Sequence, residues 1–159
     1  MLRSKGVAVS VVSFVTVEPR LIAAVRRQAR FAEIPRVLIA GLDRVWPVIR
    51  AMPSRKAGRN VAVYRPLGSD EVEILAGVEI DGRFDDVGEV SCLETPGGQA
   101  ATATHVGPYD KMGATYDAIG IEVAGKGRRL AGRNFEVYGH WTDDPTKLET
   151  EIYMLLMPD

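Results

Sequence analysis

The chain has 159 residues, of which 46% are hydrophobic and 26% charged, and its formal net charge is −1. That is the composition of one globular domain or of two small halves sharing a core, and without a basic stripe interleaved with aromatics it argues against a nucleic-acid groove. The single cysteine, Cys92, excludes an intramolecular disulfide and a thiolate metal site, and His105 and His140 lack ligand spacing, so neither a metal nor a cofactor is expected.

The first residues are a basic MLRSK and a mostly apolar run, GVAVSVVSFVTV. The run looks like the front of a secretory signal but is too short to span a bilayer. No small-x-small cleavage site follows, and its β-branched residues suit a strand or an extension. Residues 1–16 are read as an N-terminal extension ahead of a single domain at 17–159. Export is the minor alternative to a cytoplasmic location.

A strand-like run, RLIAAVRRQARF, leads to a helical pattern opened by Pro35. Leu38, Leu42, Val45, Trp46, Ile49 and Met52 recur there with a period near 3.6. Proline costs nothing at a helix start, whereas Pro47 inside the pattern is expected to kink or end it. The stretch AGRNVAVY at 57–64 reads as a turn followed by a short strand. After a loop, RPLGSD, the segment EVEILAGVEI alternates Val72, Ile74, Ala76, Val78 and Ile80 with mostly acidic partners, as in an antiparallel strand with one buried face. Residues 81–97 are polar and Gly-rich and read as a connector.

The same order then recurs. GQAATATHV is followed by a helical stretch that Pro108 opens, with Tyr109, Met112, Tyr116 and Ile119 on its stripe. Gly113 and Gly120 weaken that helix. AGRNFEVY at 131–138 repeats the earlier octapeptide, and LETEIYMLLM closes the chain's last strand. Residues 17–80 and 98–158 are thus two copies of a strand–helix–strand–strand unit. One helix on three strands has too little core to stand alone, so the copies are expected to share one sheet. The predicted fold is α+β: a curved antiparallel sheet with two helices on one face and pseudo-two-fold symmetry.

The repeat breaks at one place that matters. Ala62 in the first copy becomes Glu136 in the second, where a pocket on the pseudo-axis would lie. A carboxylate facing an apolar cavity is penalised by desolvation, and a cationic ligand returns the lost solvation by Coulomb attraction. Aromatic walls would complete such a site. The alternative is a glutamate on a solvated strand face, since Phe135 and Val137 look like the core side.

Tyr138 shares the strand face of Glu136 by the period of two, and Tyr64 is its repeat mate. Trp46, on the helical stripe, reads as core before pocket. Trp141, at a strand end, suits a pocket rim, and Tyr109 and Tyr116 could close the cavity. His105 reads as structural, because no Ser or Cys nucleophile is near it. Cys92 has no basic neighbour to activate it.

THVGPYDKM, FEVYGHWTDDP and TEIYMLL together resemble the gyrase-inhibitor-like (GyrI-like) domain over about residues 17–158. The same fold serves as the effector-binding domain of AraC-type and MerR-type regulators. The resemblance implies a duplicated fold with a ligand cavity at the junction of the halves and a cytoplasmic location. In multidrug-binding members an acid at the EVY position meets cationic, lipophilic ligands, a role that carries over to Glu136 and less directly to Tyr138.

The expectation is therefore a small-molecule binder, with Glu136 as counter-charge. Tyr138, Tyr64, Tyr109 and Trp141 are its candidate walls, and Trp46 a further candidate. Other members hydrolyse strained rings, which makes a metal-independent hydrolase using Glu136 and Tyr138 the alternative. A third reading is a module that meets a gyrase or a separate regulator. The sequence before residue 18 leaves no room for a helix-turn-helix, so direct DNA binding is not expected.

Overall fold

Alternating apolar residues make strands of both repeat units. In the structure, a computed structural model that describes residues 11–159, they join one eight-stranded sheet. The elements are β1 (Ser13–Val17), β2 (Leu21–Arg30), α1 (Ile34–Arg50), β3 (Ala57–Pro66), β4 (Glu71–Ile80), β5 (Ser91–Glu94), β6 (Gly98–Val106), α2 (Met112–Gly125), β7 (Leu130–Tyr138) and β8 (Glu149–Leu156). A single 3-10 turn leads into each helix, at Phe31–Glu33 and Tyr109–Lys111.

Strand order is β1-β6-β8-β7-β3-β4-β2-β5, and the pairings are antiparallel. The inner six strands are a mirror list about the β7–β3 pair, as a duplicated unit requires. In that pair Ala62 lies opposite Glu136 and Val61 opposite Val137. The two copies of the octapeptide therefore pair with each other. Ala62 and Glu136 are both repeat mates and cross-strand neighbours, so the pseudo-two-fold axis passes between them.

Three local expectations are corrected. The outermost strands are exchanged between the units: β1 pairs with β6, Ser13 opposite Thr102, while β5 pairs with β2, Ser91 opposite Ala24. The stretch at 81–97 is thus more than a connector, because it holds the repeat mate of β1. The expected domain start at residue 17 likewise falls inside β1. Strands of five and four residues are too short to show an alternation of their own. The front of the signal-like run, residues 1–10, lies outside the described residues.

The AGRN segments are not turns but the irregular first parts of β3 and β7. Pairing shifts register between Ala57 and Asn60 and again between Leu130 and Asn134. Gly132 has φ +90°, a conformation cheap only for glycine, and such bulges bend and twist a strand. Finally, Pro47 does not stop α1 at once: it sits in the last turn, and α1 runs on to Arg50 before it ends.

Both helices lie on one face. α1 crosses β2, β4 and β3, burying Val45 and Ile49, each worth roughly 1.5–3 kcal/mol of apolar burial. Gly41 permits the close approach: a Cβ there would stand 2.7 Å from Ala76 Cβ and 3.1 Å from Val25 Cγ2. α2 packs on β6 through Met112, Thr115, Ile119 and Val123, a spacing of three and four.

Among the described residues the opposite face carries no helix, yet Val61, Val63, Phe135 and Val137 are buried there. Val15 and Val17 from one edge strand and Leu93 from the other pack onto that cluster, so the curved sheet closes over its own face. Phe135 stacks on Tyr153 with ring centroids 4.6 Å apart. With both faces covered, the strand residues between them are buried whichever way they point.

Candidate functional site

The groove between α1 and α2 has the β3–β7 pair as its floor, and Glu136 stands in the middle of that floor. Its residue is only 6% exposed. Oε1 accepts hydrogen bonds from the Tyr138 hydroxyl at 2.5 Å and the Tyr64 hydroxyl at 3.1 Å. Oε2 accepts one from the Tyr116 hydroxyl. Asn134 Nδ2 in turn donates to the Tyr116 oxygen at 2.9 Å, and the Tyr64 and Tyr138 oxygens are 3.4 Å apart.

An ionised carboxylate is acceptor-only, with about four lone-pair sites, so three phenols replace most of its lost hydration. Burial pushes the hydroxyls of Tyr64 and Tyr116 above the ordinary phenol range, and the Glu136 charge pushes them further. Tyr138 is raised in the same direction by burial, by Tyr64 and by Glu136. All three are donors at neutral pH.

The two asparagines of the repeated octapeptide have parallel tasks. Asn134 holds Tyr116 of α2, while its mate Asn60 accepts from Trp46 Nε1 of α1 at 2.9 Å. Trp46 packs against the core under α1 and does not line the cavity, so the structure does not bring it into the site. Its influence runs through Asn60, which does line it.

A cavity of about 400 Å³ opens on the side of the groove where β7 ends. Tyr64, Tyr138 and Glu136 form its floor, and Ile34, Leu38 and Leu42 of α1 form one wall. Tyr109 meets Tyr138 edge-on at 5.8 Å and 85°. Tyr109 and Trp141 stand at the rim, 46% and 77% exposed. Of the residues proposed from sequence, Glu136, Tyr138, Tyr64, Tyr109 and Trp141 therefore meet around one space.

Tyr116's hold on the carboxylate and the tasks of both asparagines go beyond what the sequence pattern predicts; the Asn repeated in both octapeptides is the signal it does carry. The apolar wall from α1 was hidden because Leu38 and Leu42 sit on the same stripe as the core residues Val45 and Ile49. His105 is structural: Nε2–H donates to the Pro108 carbonyl at 2.9 Å, and Nδ1 lies 2.9 Å from Thr115 Oγ1, tying β6 to α2. No helix among the described residues is long and apolar enough to cross a membrane.

The crystal structure of the EcmrR C-terminal domain superposes with a TM-score of 0.80 at 16% identity, covering 96% of this chain and 100% of that one. In the EcmrR–DNA complex the matched part is 59% of the EcmrR chain. The structure of SAV2435 bound to tetraphenylphosphonium matches with a TM-score of 0.65 at 13% identity over 92% of this chain and 93% of that one. A hydrolase from Listeria innocua matches with a TM-score of 0.67 at 10% identity over 92% and 91%. At such identities these likenesses carry the fold alone. No curated protein matches the sequence significantly. The profile of the GyrI-like small molecule binding domain, however, matches residues 10–157, nearly the whole described chain. A duplicated sheet with its helices flanking one groove, and that match along its length, make this chain a member of the GyrI-like small molecule binding domain family.

Proposed function

We propose that the domain binds a lipophilic cation in the groove cavity, with Glu136 as its counter-charge. One observation carries the reading: Glu136 is a buried carboxylate whose hydrogen-bond partners among the described residues are neutral hydroxyls. Phenols offset part of its desolvation but leave the charge unbalanced, and a cation at low effective dielectric gains by balancing it. Aromatic faces at the rim and floor add cation–π attraction. The volume lies within the range of about 300–1,000 Å³ usual for small-ligand sites. SAV2435, which shares the fold, is described with a lipophilic cation bound.

The test is calorimetry with tetraphenylphosphonium and neutral triphenylphosphine oxide, on wild type and Glu136→Gln. The cation should lose about 2–5 kcal/mol of binding in the variant, and the neutral compound should change little. No binding of the cation, or equal losses for both, would refute the counter-charge. The hydrolase alternative draws on the same carboxylate and phenols, since among the described residues the cavity lining offers no serine, cysteine or histidine. Turnover of a strained ring, abolished by Glu136→Gln, would replace binding with catalysis as the conclusion. The proposal includes a cytoplasmic location, to be checked by cell fractionation.

A further inference from the structure

The groove does not end at Glu136. On the far side of the carboxylate lies a smaller hollow of about 250 Å³, walled by Phe31, Ile34, Pro66 and Val72. Glu136 and Tyr64 border both spaces. The pseudo-two-fold axis, passing beside Glu136, exchanges the two chambers: it carries Asn60 and Tyr138 of the large one onto Asn134 and Tyr64 of the small one. From Asn60 to Pro66 the floor runs about 20 Å at roughly 3.3 Å per strand residue, so the carboxylate sits between two open ends.

The chambers differ in what they could hold. The large one has polar and aromatic groups and a wet rim. In the small one the Tyr64 and Tyr116 hydroxyls are already bonded to Glu136, Asn134 is bonded to the Tyr116 oxygen, and the walls away from the carboxylate, Phe31, Ile34, Pro66 and Val72, are apolar. A cavity of about 150 Å³ lined by aliphatic and aromatic side chains takes a benzene ring, and the small hollow exceeds that.

We infer that the small hollow is a second subsite, which takes one aryl arm of a ligand whose charge sits at Glu136 and whose other arm fills the large chamber. The ligand class is a central cation bearing two apolar arms on opposite sides. This rests on the reading of Glu136 as counter-charge.

The experiment compares benzyltrimethylammonium with dibenzyldimethylammonium, equal in charge and differing by one benzyl arm, by calorimetry. In wild type the two-armed cation should bind at least about tenfold more tightly, as burial of a ring-sized group implies. An extra arm could gain affinity anywhere, so two variants locate it. Val72→Phe fills the hollow, and Phe31→Ser strips apolar wall from its mouth. Phe31 is 48% exposed, so the serine variant folds even if the core change at Val72 does not.

In either variant the one-armed cation should keep its affinity, while the two-armed advantage shrinks to within about twofold. Equal binding of both cations by wild type, or an advantage that survives both substitutions, would overturn the subsite and leave the counter-charge standing. Failure of both cations to bind wild type would instead remove the counter-charge, and the subsite with it.

Discussion

Replacing Tyr116 by Phe keeps the ring and removes one oxygen with two tasks, donating to Glu136 Oε2 and accepting from Asn134 Nδ2. A hydrogen bond to a charged group contributes about 1.5–3 kcal/mol, and a buried donor left unpaired costs about 1–3 kcal/mol. Tyr116 is only half-buried, so entering water recovers part of this, and the expected loss of stability is about 2–4 kcal/mol. Tyr64→Phe should cost less, about 1 kcal/mol, because its bond is 3.1 Å long and Tyr138 stays at 2.5 Å on the same oxygen. The assay is urea unfolding of wild type, each Phe variant, Glu136→Ala and the double variants. Glu136→Ala introduces the residue type of the repeat mate Ala62, and in that background Tyr116→Phe should forfeit only the Asn134 bond. The coupling energy between Tyr116 and Glu136 should then be about 1.5–3 kcal/mol. A coupling below about 0.5 kcal/mol, or a larger loss for Tyr64→Phe than for Tyr116→Phe, would refute the account of how this carboxylate is buried.

Alkali should unfold the domain through the same cluster. Tyr64, Tyr116 and Tyr138 are raised in the fold by burial and by neighbouring charge. Their contribution is complete below the unfolded value of about 10 and falls above it, by about 1.4 kcal/mol per pH unit for each phenol still protonated when folded. Phenolate absorbance of these tyrosines should rise together with the loss of circular dichroism; ionisation of all five tyrosines before unfolding would contradict this. Gly41→Ala should destabilise by about 1–3 kcal/mol in thermal melts, since its Cβ would meet Ala76 Cβ at 2.7 Å; an unchanged melting temperature would mean α1 lifts freely. Trp141→Phe should leave stability within about 0.5 kcal/mol yet remove most of the ligand-induced fluorescence change. If Trp46→Phe removes that change instead, the ligand is on the other side of Asn60.

The parts of this protein written in local order could be read without coordinates. The octapeptide at 57–64 and 131–138, the alternation in 71–80 and the prolines at 35 and 108 are short-range signals. Together they were enough for two copies of one unit in a shared antiparallel sheet. The change from Ala62 to Glu136 is legible for the same reason, since duplication supplies its own reference residue.

Partner choice was a different matter. Five-residue β1 and four-residue β5 carry too little pattern to say which edge they join, and in the fold each pairs with the outer edge of the opposite unit and satisfies its backbone. The AGRN stretches look like turns until the neighbouring strands hold them in register as bulges. Whether Glu136 was solvated or buried depended on α1 and α2 roofing one sheet face while the curved sheet closed the other. Its three phenols come from β3, β7 and α2, far apart in the chain. Periodicity gives each side chain a face, but only packing sets how far it reaches and which charge it meets there.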